Sequence, residues 1–126
     1  MLPMPCMGFG RSKRLLTKAA YKSVFDDSPY RVSHRNLLLL ARPNGIEGAR
    51  LGLIVAKKNV RLAVKRNRIK RVVRDSFRLN QQMLETLDII FLARRGLDKL
   101  EPAVQQKLLQ DSWRKLSRQI SKVEKT

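Results

Sequence analysis

The sequence predicts an α+β fold, a single-domain α/β sandwich with one central sheet and the element order α-β-β-α-β-α. Three observations predict it. Apolar runs of strand length occupy residues 37–41 and Leu87–Ala93 (LDIIFLA). Residues 50–56 alternate in the period of a half-buried strand. Two longer segments, 62–79 and 104–120, instead carry apolar residues at helical spacing.

The elements follow in chain order. Thr17 can cap a short helix reaching about Phe25, with Ala20, Tyr21, Val24 and Phe25 on its apolar side. Asp26-Asp27-Ser28-Pro29 ends it. Residues 37–41 form a buried strand, and Pro43-Asn44-Gly45 begins a turn. On the strand over 50–56, Leu51, Leu53 and Val55 share one face. Gly52, Ile54, Ala56 and then Lys58 share the other, where small residues leave the backbone open to close approach. A helix over 62–79 follows, with Leu62, Ile69, Val72, Val73, Ser76 and Phe77 on one side and Asn67, Arg71, Arg74 and Arg78 opposite. LDIIFLA then reads as a strand buried on both faces. Pro102 suits the first turn of a last helix reaching about Ile120. Its inward residues are Val104, Leu108, Leu109, Trp113, Leu116 and Ile120.

No internal repeat or linker divides the chain, and 126 residues with 43% hydrophobic content suit one domain with a modest core. Residues 1–8 are expected to be a disordered lead-in, 9–120 the domain and 121–126 a flexible tail. The start, MLPMPCMGFG, lacks a basic stretch followed by an apolar run, so it is not read as a secretory signal. Cys6, the one cysteine, excludes an internal disulfide and fits a reducing, cytoplasmic setting.

Charge points to the partner. The chain carries 28 Lys+Arg against 10 Asp+Glu, a formal net charge of +18. That self-repulsion opposes folding unless an anionic partner offsets it. Nucleic acid is the leading partner. A membrane is disfavoured, because no stretch approaches the ~20 apolar residues needed to span one. The charge is densest from Lys57 to Arg78, where ten Lys/Arg face one acid, Asp75. A solvated face explains any lone arginine there. It does not explain the set, since Lys65, Arg66, Arg68, Lys70 and Arg71 meet no carboxylate before Asp75. Composition alone leaves three classes open: a subunit of a ribonucleoprotein enzyme, a ribosomal or other structural RNA-binding protein, and a DNA-binding or membrane-surface protein.

Motifs separate them. The strings RLLTKAAYKSVF (14–25), RLGLIVAKKNVRLAVKRNRIKRVVRDSFR (50–78) and LDIIFLARRG (87–96) resemble the protein component of bacterial ribonuclease P. The joining of a GLIVAKK strand to an RNRIKR helix is the specific part. The resemblance implies an RNA-binding subunit of an endonuclease that removes the 5′ leader of precursor tRNA. It implies that the catalytic RNA subunit and the leader are partners, with no membrane and no obligate protein partner. Arg61, Lys65, Arg66, Asn67, Arg68, Lys70, Arg71 and Arg74 would face the RNA subunit. Phe9, Tyr21, Phe25, Lys57 and Lys58 would line a leader-binding cleft between the sheet and the first helix. Spacing alone makes Tyr21 and Phe25 an ordinary core stripe; the resemblance makes them stacking partners. Leu40 departs from relatives that carry tyrosine there. The resemblance also implies an unusual left-handed β-α-β crossover, against the general rule, of the kind seen in the second domain of a small-subunit ribosomal protein.

The residues themselves offer no catalyst. Asp26, Asp27, Asp75, Glu85, Asp88, Asp98 and Glu101 are scattered, His34 is the one histidine and falls in an expected loop, and no Cys/His set could hold zinc. The expectation is a polypeptide that is not itself catalytic. Mg²⁺ would be held by the RNA subunit and substrate rather than by a protein site.

Overall fold

The computed structural model describes residues 18–44, 49–84 and 87–125. The expected Thr17 cap, the lead-in and Phe9 lie outside them. Described in order are α1 (Lys18–Asp26), β1 (Tyr30–His34), β2 (Leu37–Pro43), β3 (Arg50–Ile54), α2 (Ala63–Asn80), β4 (Leu87–Ala93) and α3 (Pro102–Lys125). Short 3₁₀ turns, Gln81–Leu84 and Leu97–Lys99, precede β4 and α3.

The α+β sandwich stands, with a strand that the expected order lacked. Tyr30, Val32 and their neighbours alternate buried and exposed in β1, the pattern of a strand covered on one side. His34 pairs with Leu37 across a two-residue loop, Arg35-Asn36, so it ends a strand rather than sitting in a loop. Its Nδ1 accepts the Asn36 N–H at 3.0 Å. Helix α3 also continues to Lys125, past the expected end near Ile120.

The sheet runs β1-β2-β4-β3. Both β1–β2 and β2–β4 are antiparallel, whereas β3–β4 is parallel. Parallel neighbours need a crossover, and α2 supplies it. β4 is paired on both edges and buried on both faces, which is why LDIIFLA carries an almost unbroken apolar run.

Register sorts the side chains into two layers. Leu39, Phe91 and Leu53 form one cross-strand row and Ala41, Ile89 and Leu51 the next. They pack against Ile69, Val73 and Phe77 of α2 and Leu109, Trp113 and Leu116 of α3. On the reverse face Leu40, Ile90 and Gly52 lie in register beside Leu38, Leu92 and Ile54. Val24 of α1 buries against Leu40 and Ile90 there, with Ala20 and Tyr21 beside it. One helix covers that face and two cover the other.

Side-chain hydrogen bonds fix how α2 is turned. The fully buried Trp113 donates its indole N–H to Ser76 Oγ at 2.8 Å and meets Phe77 edge-on at 6.0 Å. Asn80 and Gln110 exchange amide bonds of 3.1 and 2.9 Å. Two expected inward residues turn out. Leu62 is 59% exposed because α2 begins at Ala63, and Val104 is 48% exposed. In the first turn of α3 the inward position belongs to Gln105, whose amide donates to the carbonyls of Leu97 (2.9 Å) and Leu100 (3.2 Å). At the β1 edge, Gln119 Oε1 accepts the Arg31 N–H at 2.9 Å and Nε2 donates to the Arg31 carbonyl at 2.6 Å. Those bonds occupy backbone groups that would otherwise invite strand pairing.

Ser76→Ala is expected to strand the buried indole N–H and destabilise the fold by about 1–3 kcal/mol. Thermal unfolding followed by the fluorescence of Trp113, the one tryptophan, measures it; an unshifted melt would show that the bond contributes nothing.

Candidate nucleic-acid interface

The cationic surface is built on α2, about 27 Å long at ~1.5 Å per residue. Ile69, Val73 and Phe77 are buried, and the polar residues are thereby turned outward. Arg61, Lys65, Asn67, Arg68 and Arg71 are exposed, while Lys70 and Arg74 lie half-buried along the flank. Arg78 stands 3.9 Å from Asp75, so the one acid of the helix makes a local ion pair.

The start of α2 is electrostatically unfavourable by itself. Leu62 occupies the N-cap with an extended backbone and makes no side-chain cap, and the first turn contains no acid. Lys65 and Arg66 instead place positive charge at the positive end of the helix dipole. Asp98, 4.0 Å from Lys65, is the described carboxylate paired there. An incoming anion would relieve that arrangement.

Arg66 differs from its neighbours. Its Nη1 donates to the carbonyls of Val60 (3.1 Å) and Arg61 (2.8 Å), so the first arginine of RNRIKR ties down the preceding loop instead of standing free. That loop carries Lys57 and Lys58, both exposed. The Ala56 carbonyl accepts the N–H groups of Asn59 and Val60, each at 3.0 Å. This turn is why β3 stops at Ile54 rather than running to residue 56. Asn59 Nδ2 donates to the Ala93 carbonyl at 2.9 Å, pinning the lysines beside the end of β4.

The second surface lies where α1 crosses the sheet. Gly52 lets the Tyr21 ring settle on the backbone of β3, since a Cβ there would come within 2.8 Å of it. Tyr21 is accordingly half-buried. Phe25, one turn on, is 47% exposed. The expected pair therefore divides into one ring that packs and one that is presented. Leu38, Ile54 and Leu92 form a half-buried apolar floor. Arg42 donates to the Ser23 carbonyl at 3.3 Å, holding β2 to the last turn of α1. Lys22 pairs with Asp26 at 2.8 Å, and that hydrogen bond raises the ammonium pKa above its ordinary value.

Arg94, to which spacing assigns no role, belongs to this face two residues beyond Leu92. Its Nη1 donates to Ser33 Oγ (3.1 Å) and the His34 carbonyl (2.8 Å). Its sequence signal was the Arg-Arg-Gly that ends the β4 string.

The acids do not converge. Asp88 is buried and holds Arg50 bidentately at 2.7 and 2.6 Å, with Asn44 Nδ2 at 3.0 Å. Its hydrogen bonds push the Arg50 guanidinium pKa above its ordinary value. Asp88 is thus a structural acid inside a strand. Among the described residues no three His, Cys, Asp or Glu stand where they could hold a metal ion. Glu85 lies outside the described residues. No described helix is long and apolar enough to cross a membrane.

Comparison with known proteins decides the family. The Ribonuclease P family model matches residues 9–117. This chain belongs to the ribonuclease P protein family. A Pseudomonas putida ribonuclease P protein component is 50% identical over 115 residues, covering 91% of this chain and 86% of that protein. The Chromohalobacter salexigens component is 47% identical over 119 residues, 94% and 93% of the two chains. Among solved structures, a Staphylococcus aureus RNase P protein mutant superposes with a TM-score of 0.76 at 26% identity, over 82% of this chain and 87% of its own. The Thermotoga maritima RNase P protein gives 0.69 at 29% identity, over 80% and 98%. Membership places the chain among the RNA-binding proteins of ribonuclease P ribonucleoproteins and tRNA processing.

Gly52→Ala tests the second surface. Because the obstructing atoms are the far end of one side chain, the fold should lose about 1 kcal/mol, the low end of the overpacking range, while Tyr21 is displaced from the cleft. Weaker binding of a single-stranded RNA at near-native stability is expected; unaltered binding would remove the cleft from the interface.

Proposed function

We propose that this protein is the RNA-binding subunit of a cytoplasmic ribonuclease P, which removes the 5′ leader from precursor tRNA. The observation that carries the reading is the pairing of a rigid, outward cationic helix with a separate apolar cleft that presents Phe25. Arg61, Lys65, Asn67, Arg68, Lys70, Arg71 and Arg74 contact the phosphates of the catalytic RNA subunit. Arginine forks suit phosphate oxygens bidentately, and Asn67 both donates and accepts. Arg66 serves this face by fixing the Lys57–Lys58 loop. The leader lies along the cleft, where Phe25 stacks on a base, a sequence-tolerant contact of about 1–3 kcal/mol. Tyr21 shapes the wall, and Lys57 and Lys58 meet leader phosphates.

Hydrolysis belongs to the RNA subunit and its bound Mg²⁺. The polypeptide screens repulsion between two RNAs and holds the leader, contributing position and charge rather than a reacting group.

Reconstitution with the RNA subunit of the same genome tests this. The protein alone should leave precursor tRNA intact, yet lower the Mg²⁺ that the RNA subunit requires. Cleavage at the mature 5′ end by the protein alone would overturn the reading. Arg68→Ala or Arg71→Ala should weaken assembly and flatten its salt dependence by about one unit of slope per lost phosphate contact. An unchanged slope would show that these side chains do not meet phosphate.

Phe25→Ala should weaken binding of leader-bearing tRNA by about fivefold or more, from the low end of the stacking range upward, and leave leaderless tRNA unaffected. Its melt should stay close to wild type, because nearly half of the ring is already in water. Equal losses on both substrates would deny the leader contact.

A further inference from the structure

A second line of cations runs along the outside of the molecule. At 100° per residue, Lys107, Arg114 and Arg118 of α3 fall within a narrow stripe opposite the buried stripe of Gln105, Leu109, Ser112, Trp113 and Leu116. All three are exposed, and no described carboxylate lies within 4 Å of them. Asp111 is half-buried on the same side and pairs with none. On α2 the matching outward stripe carries Arg71, with Arg68 beside it and with Arg78 half-buried and paired to Asp75.

The helices pack on the same sheet face and touch through Ser76–Trp113 and Asn80–Gln110. Their axes therefore run as neighbours, about 8–10 Å apart at ordinary helix packing, with the two outward stripes on the same side of the molecule. Unpaired like charge brought this close opposes folding of the free protein.

We propose that Lys107, Arg114 and Arg118 form a second phosphate-binding rail, so that α2 and α3 together seat one double-helical segment of the RNA subunit. The inference rests on the reading that α2 faces that RNA. Charge complementarity selects a polyanion. The side-chain chemistry of the stripes selects a duplex over a single strand. Helices α2 and α3 contain one aromatic residue each, Phe77 and Trp113, and both are fully buried. Single-strand binding draws on exposed rings for stacking; this platform presents cationic donors on rigid helices and no exposed ring, which suits recognition of A-form RNA by shape and phosphate. From Lys107 to Arg118 the rail spans about 16 Å at ~1.5 Å per residue. A duplex carries roughly one charge per 1.7 Å of axis, so a rail of this length meets several phosphates.

The full-length triple variant Lys107→Gln/Arg114→Gln/Arg118→Gln is compared with wild type, with Arg71→Gln and with Lys115→Gln, which lies off the stripe. Probes are the RNA subunit, a blunt RNA duplex of about 20 base pairs and an oligouridine of equal charge, each titrated across salt. The triple variant should bind the RNA subunit and the duplex about tenfold more weakly, with a salt slope lower by about 2 to 3. Oligouridine binding and the melt should change little, and Lys115→Gln should keep the wild-type slope. If Arg71→Gln lowers the slope and the triple variant does not, α3 is a solvated face and the proposal fails while the α2 reading stands. If neither lowers it, both fail. An equal loss on oligouridine would overturn the preference for a duplex.

Discussion

The contact on which the rest depends is the clasp between α2 and α3. Trp113 donates to Ser76 and lies against Phe77, and one turn on Asn80 and Gln110 exchange amides. A helix this cationic gains little from its own polar face: cations stand at the wrong end of its dipole and repel one another along its length, against one i,i+3 ion pair. Apolar burial supplies the compensation, because Ile69, Val73 and Phe77 are removed from water as a stripe. Burial alone would tolerate some rotation. The hydrogen-bonded indole and the paired amides have few satisfactory geometries, so they set the rotation of the helix and hence the heading of Arg68 and Arg71.

Rigidity is carried from that helix into the neighbouring loop by two side chains. Arg66 holds the carbonyls of Val60 and Arg61, and Asn59 holds the carbonyl of Ala93. The segment bearing Lys57 and Lys58 is thereby fixed to α2 at one end and to the sheet at the other. On the proposed reading this joins the surface for the RNA subunit to the surface for the leader. On that reading, a change at Arg66 acts through carbonyl geometry, whereas one at Arg68 acts through phosphate.

Much of this was legible in the sequence where one physical signal dominated. LDIIFLA reads as a central strand because burial on both faces removes the need for alternation. The stripe Ile69–Val73–Phe77 reads as a buried helix face because nothing else explains apolar residues inside so basic a run. β1 was hidden for the opposite reason. Tyr-Arg-Val-Ser-His does alternate, but five residues bounded by Pro29 and a polar hairpin loop carry little more signal than a loop does. Leu62 and Val104 turn outward against their spacing because each sits at a helix start, where one residue of shift moves a side chain by 100°. At the site, spacing grouped Arg66 with Arg68, and only the carbonyls of Val60 and Arg61 in three dimensions set them apart. Tyr21 and Phe25 share a periodicity. Their division follows from Gly52, a residue distant in sequence whose missing side chain leaves space for one ring.

The two faces of the sheet divide recognition by chemistry. The α1 face offers an exposed ring, a half-buried apolar floor and lysines at its end, a combination that on the proposed reading grips flexible, unstacked bases. The α2–α3 face offers guanidinium and ammonium groups on two rigid rods, with every aromatic ring withdrawn into the core. A ring on that face would reward single strands, and no exposed ring is present on α2 or α3. On the proposed reading, a folded RNA and an unfolded RNA segment can occupy the two faces together. The sheet fixes the distance between them, and the charge that makes the isolated chain hard to fold is the charge that brings two polyanions together.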